Sequence, residues 1–215
     1  MIVLNLKTYP ETIEKALFFA DITKEVVEET GVRIVLCPPL SFLHGAAERV
    51  ETFAQHTDQQ KPGAHTGSVP AELLKYLGAK GSVINHSEKK LPLETVKATV
   101  ERLHMVGLES LVCAASIKEA GEIAHFTPTF IAVEPPELIG SGVSVSKAKP
   151  EIVVKSVAAV KELNSKITVL CGAGVSNKED IVKAMDLGSE GVLLASAFVK
   201  AKDPKAFLKD LAGAL

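Results

Sequence analysis

Cysteine is scarce in this sequence. Cys37, Cys113 and Cys171 are the three cysteines among 215 residues, and each lies within or at the end of an apolar run. An odd number of widely spaced cysteines argues against a disulfide framework, and their spacing fits no zinc motif. We therefore expect no metal centre and a reducing, cytoplasmic setting.

Blocks of like charge and long apolar runs are also missing. Lys and Arg total 24 against 26 Asp and Glu, and the two signs are mixed along the chain. These features predict no nucleic-acid partner and no membrane partner. The first residues, Met1–Asn5, have neither the basic start nor the apolar stretch of a secretion signal, so we expect none.

The sequence does contain a series of short runs rich in β-branched and aliphatic residues. There are eight of them, and they are nearly continuously apolar rather than alternating, which is typical of parallel strands buried on both faces. They are Ile2–Leu4, Ile34–Cys37, Thr52–Ala54, Ser82–Ile84, Ser110–Cys113, Thr129–Val133, Ile167–Leu170 and Gly191–Leu194.

Helical patterns separate these runs. Apolar residues recur at helical spacing in three sets: Ile13, Ala16, Leu17, Ala20 and Val27; Val96, Val100 and Leu103; and Ile152, Val157, Val160 and Leu163. Proline and glycine fall where helices should begin and end. The prolines are Pro92 and Pro150, and the glycines are Gly31, Gly78, Gly107 and Gly188.

Alternating strands and helices predict an α/β fold with a parallel sheet, either an open doubly wound sheet or a closed barrel. The 215 residues divided over eight units give about 27 per unit, near the minimum that a βα unit needs. Eight similar units favour closure, and the first strand ends in Asn5–Lys7 rather than in a glycine-rich nucleotide loop. We predict a (β/α)8 barrel of eight parallel strands with surrounding helices, as a single catalytic domain over residues 1–215.

Polar residues follow several predicted strands, at the end where such a barrel carries its active site. Three of them are chemically suggestive, namely Lys7 after the first strand, His86 after the fourth and Glu134 after the sixth. Because these strand ends meet at one mouth of the barrel, we expect the three side chains to converge.

Glu134 is a candidate general base. A carboxylate walled by apolar neighbours has a raised pKa and can accept a proton near neutral pH. The next segment, Pro135–Gly142, is stiffened by proline at its start and flexible with glycine at its end, which is the composition of a lid between two hinges. The alternative is a surface turn that carries an incidental glutamate.

His86 and Lys7 are candidates to assist that base. If a short helix begins after His86, its amides would lower the imidazole pKa and keep the ring neutral, so that it could donate a hydrogen bond to a carbonyl oxygen. An ammonium at the mouth suits an anionic substrate or a developing enolate charge. Either residue could instead be structural or an ordinary surface residue.

The last two strands are followed by small residues, Gly172–Ser176 and Ala195–Ala197. Small residues let backbone amides approach a phosphate, and the loops after the seventh and eighth strands are the usual phosphate site of these barrels. As a dinucleotide loop the first segment is a weak candidate, because it lacks a third glycine and lies late in the chain.

Four of these motifs resemble the triosephosphate isomerase family, in its shorter archaeal form, over essentially the whole chain. They are the first-strand motif Asn5–Lys7, the electrophile motif Asn85–Glu88, the base-and-lid motif Ala132–Gly140, and the last strand with its phosphate loop in Gly188–Pro204. Four motifs in the right order are specific, whereas any one alone is not. The resemblance implies a TIM barrel that interconverts D-glyceraldehyde 3-phosphate and dihydroxyacetone phosphate through an enediolate, in glycolysis and gluconeogenesis, with no cofactor.

The resemblance also implies roles for single residues. Glu134 would shuttle the proton between C1 and C2, and a neutral His86 would polarise the carbonyl oxygens. Lys7 would hold the substrate electrostatically beside Asn5. Glu88 would orient the Lys7 region, Ser87 would brace the fourth loop, and the phosphate would be bound by Ile139, Gly140, Gly174, Ala195 and Ser196. Ala197 departs from the glycine that many archaeal members carry, and its methyl group could crowd that loop.

The family further implies self-association as a homodimer or homotetramer. Lys61–Ser68 resembles the third loop of the family, which inserts into the neighbouring subunit beside its active site, with Thr66 in the inserted region. The alternative is a plain surface loop of 14 residues, 56–69, between Gln55 and Pro70. Loops of that length usually have a function.

Two other functions compete with an isomerase. A different phosphosugar barrel, such as an aldolase that forms a Schiff base, would need a desolvated lysine near the end of a central or late strand. A catalytically inactive phosphate-binding barrel is compatible with the fold alone. The combination of Lys7, His86 and Glu134 favours the isomerase over both.

Overall fold

A computed structural model of the chain describes residues 1–135 and 145–215. Within them the eight predicted strands form, and each strand end lies within one residue of its predicted position. The strands are β1 (Ile2–Asn5), β2 (Ile34–Cys37), β3 (Phe53–Ala54), β4 (Gly81–Ile84), β5 (Glu109–Ala114), β6 (Phe130–Val133), β7 (Thr168–Cys171) and β8 (Val192–Leu194).

Helices connect these strands. They are α1 (Pro10–Thr30), α2 (Leu43–Ala47), α3 (Ala71–Tyr76), α4 (Leu93–Met105), α5 (Ile117–Ala124), α6 (Val145–Ala148), α7 (Pro150–Leu163), α8 (Lys178–Asp186), α9 (Ser196–Val199) and α10 (Pro204–Ala212). Short 3-10 helices lie at Leu40–Phe42 and Ser87–Lys89. The four glycines expected at helix ends all have positive φ, as a left-handed terminating residue requires.

The sheet closes into the predicted barrel. The hydrogen-bonded order is β2-β1-β8-β7-β6-β5-β4-β3, with parallel pairing throughout. A parallel bridge between Leu36 and Thr52 joins the two remaining edges, where the Leu36 N–H donates to the Glu51 carbonyl at 3.0 Å. The fold is therefore a (β/α)8 barrel.

Strand residues divide between an inner and an outer apolar layer. One buried cluster takes a member from every strand, which only the interior of a closed barrel allows; its members include Val3, Val35, Phe53, Val83, Leu111, Phe130, Leu170 and Leu193. Their neighbours along the strands, such as Ile2 and Leu4, pack outward against the helices. Burial on both faces explains why the strands are continuously apolar.

Two helical stripes differ from the prediction. Leu163, the last residue of the predicted stripe on α7, is 46% exposed. Ile13 is 58% exposed, although the pattern places it on the buried face of α1. The backbone of Lys15 leaves the helical region (φ −129°, ψ 19°), so the residues before it are out of phase with those after it. The buried face after this kink consists of Ala16, Phe19, Ala20, Ile22, Thr23 and Val26.

The amino end of the barrel is closed by charge and aromatic contacts. The Arg33 guanidinium bonds to Glu51 at 2.6 Å and to Glu109 at 2.5 Å, and it stacks over the Phe130 ring at 5.3 Å. The carboxyl ends of the strands surround a cavity, described below. No helix within residues 1–135 and 145–215 is long and apolar enough to cross a membrane.

Candidate active site

The cavity at the carboxyl ends of the strands has a volume of about 320 Å³. That lies near the lower end of small-molecule sites, roughly 300–1,000 Å³. Its walls come from five strand ends, and they contain Asn5, Lys7, Tyr9, His86, Glu134, the segment 172–176, the segment 193–197 and Lys200. Lys7, His86 and Glu134 therefore share one cleft, although 79 and 48 residues of sequence separate them in turn (86 − 7 and 134 − 86).

Glu134 follows β6 directly and is almost fully buried, with 3% of its surface exposed. Burial raises the pKa of its carboxyl from 4.5 to about 7, while the Cys113 thiol, which donates a hydrogen bond to it, and the Lys7 charge hold the pKa down. Among the described residues, Oε2 has no hydrogen-bond partner. A buried oxygen with free lone pairs and a pKa near neutrality can take a proton from carbon.

His86 faces this carboxylate. Its Nε2 lies 3.8 Å from Glu134 Oε1, which is too long for a direct hydrogen bond. Its Nδ1 accepts the backbone N–H of Glu88 at 3.2 Å, because His86 caps the 3-10 helix Ser87–Lys89. Since Nδ1 is an acceptor, the proton of a neutral ring is on Nε2, where it points into the cavity.

The pKa of His86 is lowered, and burial of the ring is the leading cause, followed by the positive charge of Lys7. The short helix expected after His86 is present and contributes the Glu88 N–H to the ring. The lowered pKa of the imidazole therefore rests first on burial and then on neighbouring positive charge, and not on the helix amides that the sequence suggested.

Lys7 has an unusual backbone, with φ at +47°. Its N–H donates to Asn5 Oδ1 at 3.0 Å, and its C=O accepts from Gln55 Nε2 at 3.0 Å, while the same Gln55 nitrogen also donates to the Cys37 carbonyl at 2.8 Å. Left-handed backbone at a lysine persists only where its surroundings impose it. These bonds direct the Lys7 ammonium to Glu88 Oε1, 2.7 Å away.

The fourth loop, residues 85–91, is braced from outside the cavity. Asn85, also left-handed with φ at +60°, donates to the Cys113 carbonyl and to Glu119 Oε1, each at 2.9 Å, and its Oδ1 accepts the Leu91 N–H at 3.0 Å. Glu119, on the first turn of α5, also receives the Lys90 ammonium at 2.5 Å. The residue before His86 is thus fixed on three sides.

The remaining predicted residues divide into three groups. Gly174, Ala195 and Ser196 line the cavity opposite the fourth loop, and Ser196 is the first residue of α9. Ser87, half-buried, is the first residue of the 3-10 helix. Ile139 and Gly140, with most of the predicted lid, lie outside the described residues.

Four residues near the site have contacts that motif reasoning missed. Gln55 and Glu119 act on site residues from 48 and 34 positions away. Gln55 directly follows β3, as the polar residues of the site do, but no local pattern indicates the partners of either residue. Tyr9 and Lys200 both line the cavity, and Lys200 Nζ lies 5.1 Å from the centroid of the Tyr9 ring. The only sequence signal for Lys200 was its position just past the small residues after β8.

Taken together, the site offers a buried carboxylate near neutrality, a neutral N–H donor and a cation. A carboxylate of this kind removes a proton from a carbon next to a carbonyl, and an N–H aimed at the carbonyl oxygen stabilises the resulting enolate. Small-residue loops on the opposite wall leave room for the rest of a small anionic substrate.

Known proteins match this chain over its full length. The family model for triosephosphate isomerase matches residues 1–212. A triosephosphate isomerase of Methanocaldococcus jannaschii is 47% identical over 214 residues, covering 98% of both chains. One of Methanothermus fervidus is 49% identical over 98% of this chain and 96% of its own, and one of Archaeoglobus fulgidus is 44% identical over 100% and 98%.

These relatives are archaeal, as the resemblance of the motifs indicated. A family model that matches nearly every residue, with relatives well above 40% identity, establishes descent and not only a shared fold. The chain belongs to the triosephosphate isomerase family of aldose–ketose isomerases.

Proposed function

We propose that this chain interconverts D-glyceraldehyde 3-phosphate and dihydroxyacetone phosphate with Glu134 as the base, His86 as the electrophile and Lys7 as the electrostatic anchor. The observation that carries the proposal is the separation of 3.8 Å between Glu134 Oε1 and His86 Nε2 in a cavity that also contains Lys7. We propose that residues 1–215 work as one catalytic domain, in the cytoplasm.

In the forward direction Glu134 removes the proton from C2 of glyceraldehyde 3-phosphate. The electron pair of that C–H bond forms the C1–C2 double bond of an enediolate, and the carbonyl π pair moves to oxygen. His86 donates its Nε2 hydrogen bond to that oxygen and moves the proton between O1 and O2. The protonated Glu134 then returns its proton to C1, which gives dihydroxyacetone phosphate and restores the carboxylate.

The surrounding residues would hold this geometry. Lys7 would attract the substrate and the enediolate charge beside Asn5, with Glu88 bound to its ammonium at 2.7 Å. Ser87 would brace the fourth loop. Gly174, Ala195 and Ser196 would bind the phosphate together with Ile139 and Gly140, and the lid would shield the enediolate from water.

The arrangement does not favour a Schiff-base aldolase. Such an enzyme needs a neutral lysine amine as nucleophile. Lys7 follows the first strand and its ammonium is paired with Glu88, so its nitrogen serves as a charge and not as a nucleophile.

We also propose that the chain self-associates as a homodimer or homotetramer through the third loop. Residues 61–67, which include Thr66, are all exposed. The base of the loop is fixed by two bonds between Asp58 and Val69, at 2.9 and 2.7 Å. An exposed tip on a fixed base is suited to insertion into a neighbouring subunit.

A deuterium experiment tests the proposed reaction. Purified protein, dialysed against a chelator, should convert glyceraldehyde 3-phosphate to dihydroxyacetone phosphate in D2O, and the product should carry deuterium on carbon, because the proton on Glu134 exchanges with solvent. Glu134→Gln should lower kcat by at least roughly 10²–10⁴-fold. Absence of conversion, or conversion that is unchanged in Glu134→Gln, would disprove the proposal.

A further inference from the structure

The substrate cavity has a second lysine on its rim, at the end where the phosphate is proposed to bind. Lys200 follows α9 directly, so it comes four residues after Ser196. Its side chain is exposed and lines the cavity together with Ala197 and Gly174. It lies within the segment Gly188–Pro204, but the roles that the resemblance implies fall on other residues there, Ala195 and Ser196.

An aromatic ring holds this lysine near the cavity. The Nζ of Lys200 lies 5.1 Å from the centroid of the Tyr9 ring, and Tyr9 lines the same cavity from the start of α1. A cation over a ring face is attracted by the ring quadrupole. This contact limits where the ammonium moves, and since the ring has no net charge it leaves the charge of the ammonium intact.

The other charged groups of the site show why the charge of Lys200 matters to an approaching anion. Lys7 is bound to Glu88 at 2.7 Å, so much of its field at a distance is cancelled. Glu134 is negative whenever it is ready to act as a base. In the stretches 1–135 and 145–215, Lys200 has no carboxylate within ion-pair distance. An approaching anion therefore meets Lys200 as the uncompensated cation of the rim.

We infer that Lys200 is a specificity-determining residue that attracts and orients the phosphate of the substrate, held for that purpose by Tyr9. The inference rests on the proposed function, because it assigns a phosphate dianion to this end of the cavity. Lys200 acts on the non-reacting group, so it raises the capture of phosphorylated substrate without taking part in proton transfer. A focused charge of this kind raises association rates most at low ionic strength.

The test compares two lysines and two substrates. Lys200→Gln should lower kcat/KM for glyceraldehyde 3-phosphate roughly 3- to 10-fold at low salt, and the loss should shrink as salt is added. Lys202→Gln makes the same charge change two residues away, at an exposed position outside the cavity lining, and should change kcat/KM less than about 1.5-fold. With glyceraldehyde, which has no phosphate, Lys200→Gln should match the unmodified chain.

Other outcomes would overturn the inference. An unchanged kcat/KM in Lys200→Gln would remove its role, and an equal loss with both substrates would assign it to the structure of the site instead of to phosphate. Lys200→Arg, which keeps the charge, should retain most of the activity. A large loss of activity in Lys200→Arg would also contradict the inference. If the unmodified chain did not isomerise glyceraldehyde 3-phosphate, the proposed function would fail first, and that result is separate from any difference between variants.

Discussion

At the scale of single residues, the reactivity of this site rests on a carboxylate kept out of water. Glu134 needs to be ionised to take a proton, yet burial favours its protonated form and raises its pKa to about 7. The partners that favour ionisation, Cys113 and Lys7, offset only part of this effect. The proposed base is therefore strong for a carboxylate, and it is half-ionised near neutral pH.

This pKa predicts the pH dependence of activity. Because only ionised Glu134 acts as a base, kcat/KM should fall as the pH drops through about 7. The pKa of His86 is lowered, so ionisation of the imidazole should add to the loss only at more acidic pH. Initial rates between pH 5 and 9 measure this limb.

The phosphate of the substrate also ionises near pH 6, so a control is needed. Unphosphorylated glyceraldehyde lacks that group, and a midpoint shared by both substrates belongs to the enzyme. A profile with glyceraldehyde that stays flat down to pH 5.5 would contradict the assignment of a raised pKa to the base.

The same burial predicts a stability effect for Glu134→Gln. Where the folded pKa exceeds the ordinary value, the folded state binds the proton more tightly, so stability is present at low pH and is lost as the pH rises from 4.5 to about 7. A shift of this size corresponds to about 3 kcal/mol. Since glutamine does not ionise, the variant should be more stable than the unmodified chain by about 2–3 kcal/mol at pH 8.5, and by little at pH 5.

Urea unfolding at both pH values and at one protein concentration measures this difference. Glu122→Gln changes a partly exposed carboxyl on α5 and serves as the control, with no growing difference expected. A Glu134→Gln effect of equal size at pH 5 and 8.5 would show that ionisation of the Glu134 carboxyl does not lower the free energy of unfolding.

At the scale of elements, the strand ends position the chemistry and the residues beside them leave room for it. Gly172 follows β7, where its N–H donates to the Val133 carbonyl at 3.0 Å, next to Glu134. A methyl group on Gly172 would collide with Glu134 Cγ and would come within 3.2 Å of its Oε1. This glycine is needed for close approach, since its φ is not in the left-handed region.

Gly172→Ala should therefore displace the base without disturbing the barrel. We expect kcat to fall roughly 10- to 100-fold, because misplacement of a catalytic group by about 1 Å costs that much. Gly121→Ala is the matched control, since a methyl group there has no neighbour within 4 Å and α5 favours alanine. Steady-state kinetics and far-UV circular dichroism of both variants decide the point, and a fully active Gly172→Ala would mean that Glu134 tolerates displacement.

The elements also show which features a sequence can predict. The strands were predictable because burial on both faces makes them continuously apolar. Lys7, His86 and Glu134 were predictable as candidates because each lies within two residues of the end of its strand. The phase of α1 was not, because the kink at Lys15 has no proline or glycine to mark it. Gln55, Glu119 and Lys200 reach the site through contacts between distant segments, and those contacts exist only after the barrel closes.

At the scale of the whole molecule, the barrel separates stability from reactivity. The amino end is filled by Arg33, Glu51 and Glu109 over the Phe130 ring, and the interior beneath the cavity is packed with one apolar layer from all eight strands. The carboxyl end concentrates the left-handed backbone of Lys7 and Asn85. Strained residues of this kind persist because a rigid closed sheet supports them.

The third loop is not part of the closed sheet, and it leads to a prediction about the assembled protein. Bonds within its tip, from the His65 N–H to Gly63 and from the Ser68 N–H to His65, give it its own turn structure, yet Thr66 and its neighbours are exposed. If the tip inserts into a second copy, Thr66→Arg brings a long charged side chain into the contact. We expect the variant to lose self-association, because burying an unpaired charge costs several kcal/mol. Since the tip would then no longer lie beside the neighbouring active site, kcat/KM should also fall at least roughly 10-fold.

Sedimentation velocity over a range of concentrations, with activity measured on the same samples, tests this expectation. The unmodified chain should sediment at two or four times the mass of one chain, and Thr66→Arg at the mass of one. Ser165→Arg makes a similar change at an exposed turn before β7, at the opposite end of the barrel, and should leave both mass and activity unaltered. If the unmodified chain sedimented at the mass of one chain and was fully active, the cavity would be complete within one chain. The exposed third loop would then have another use.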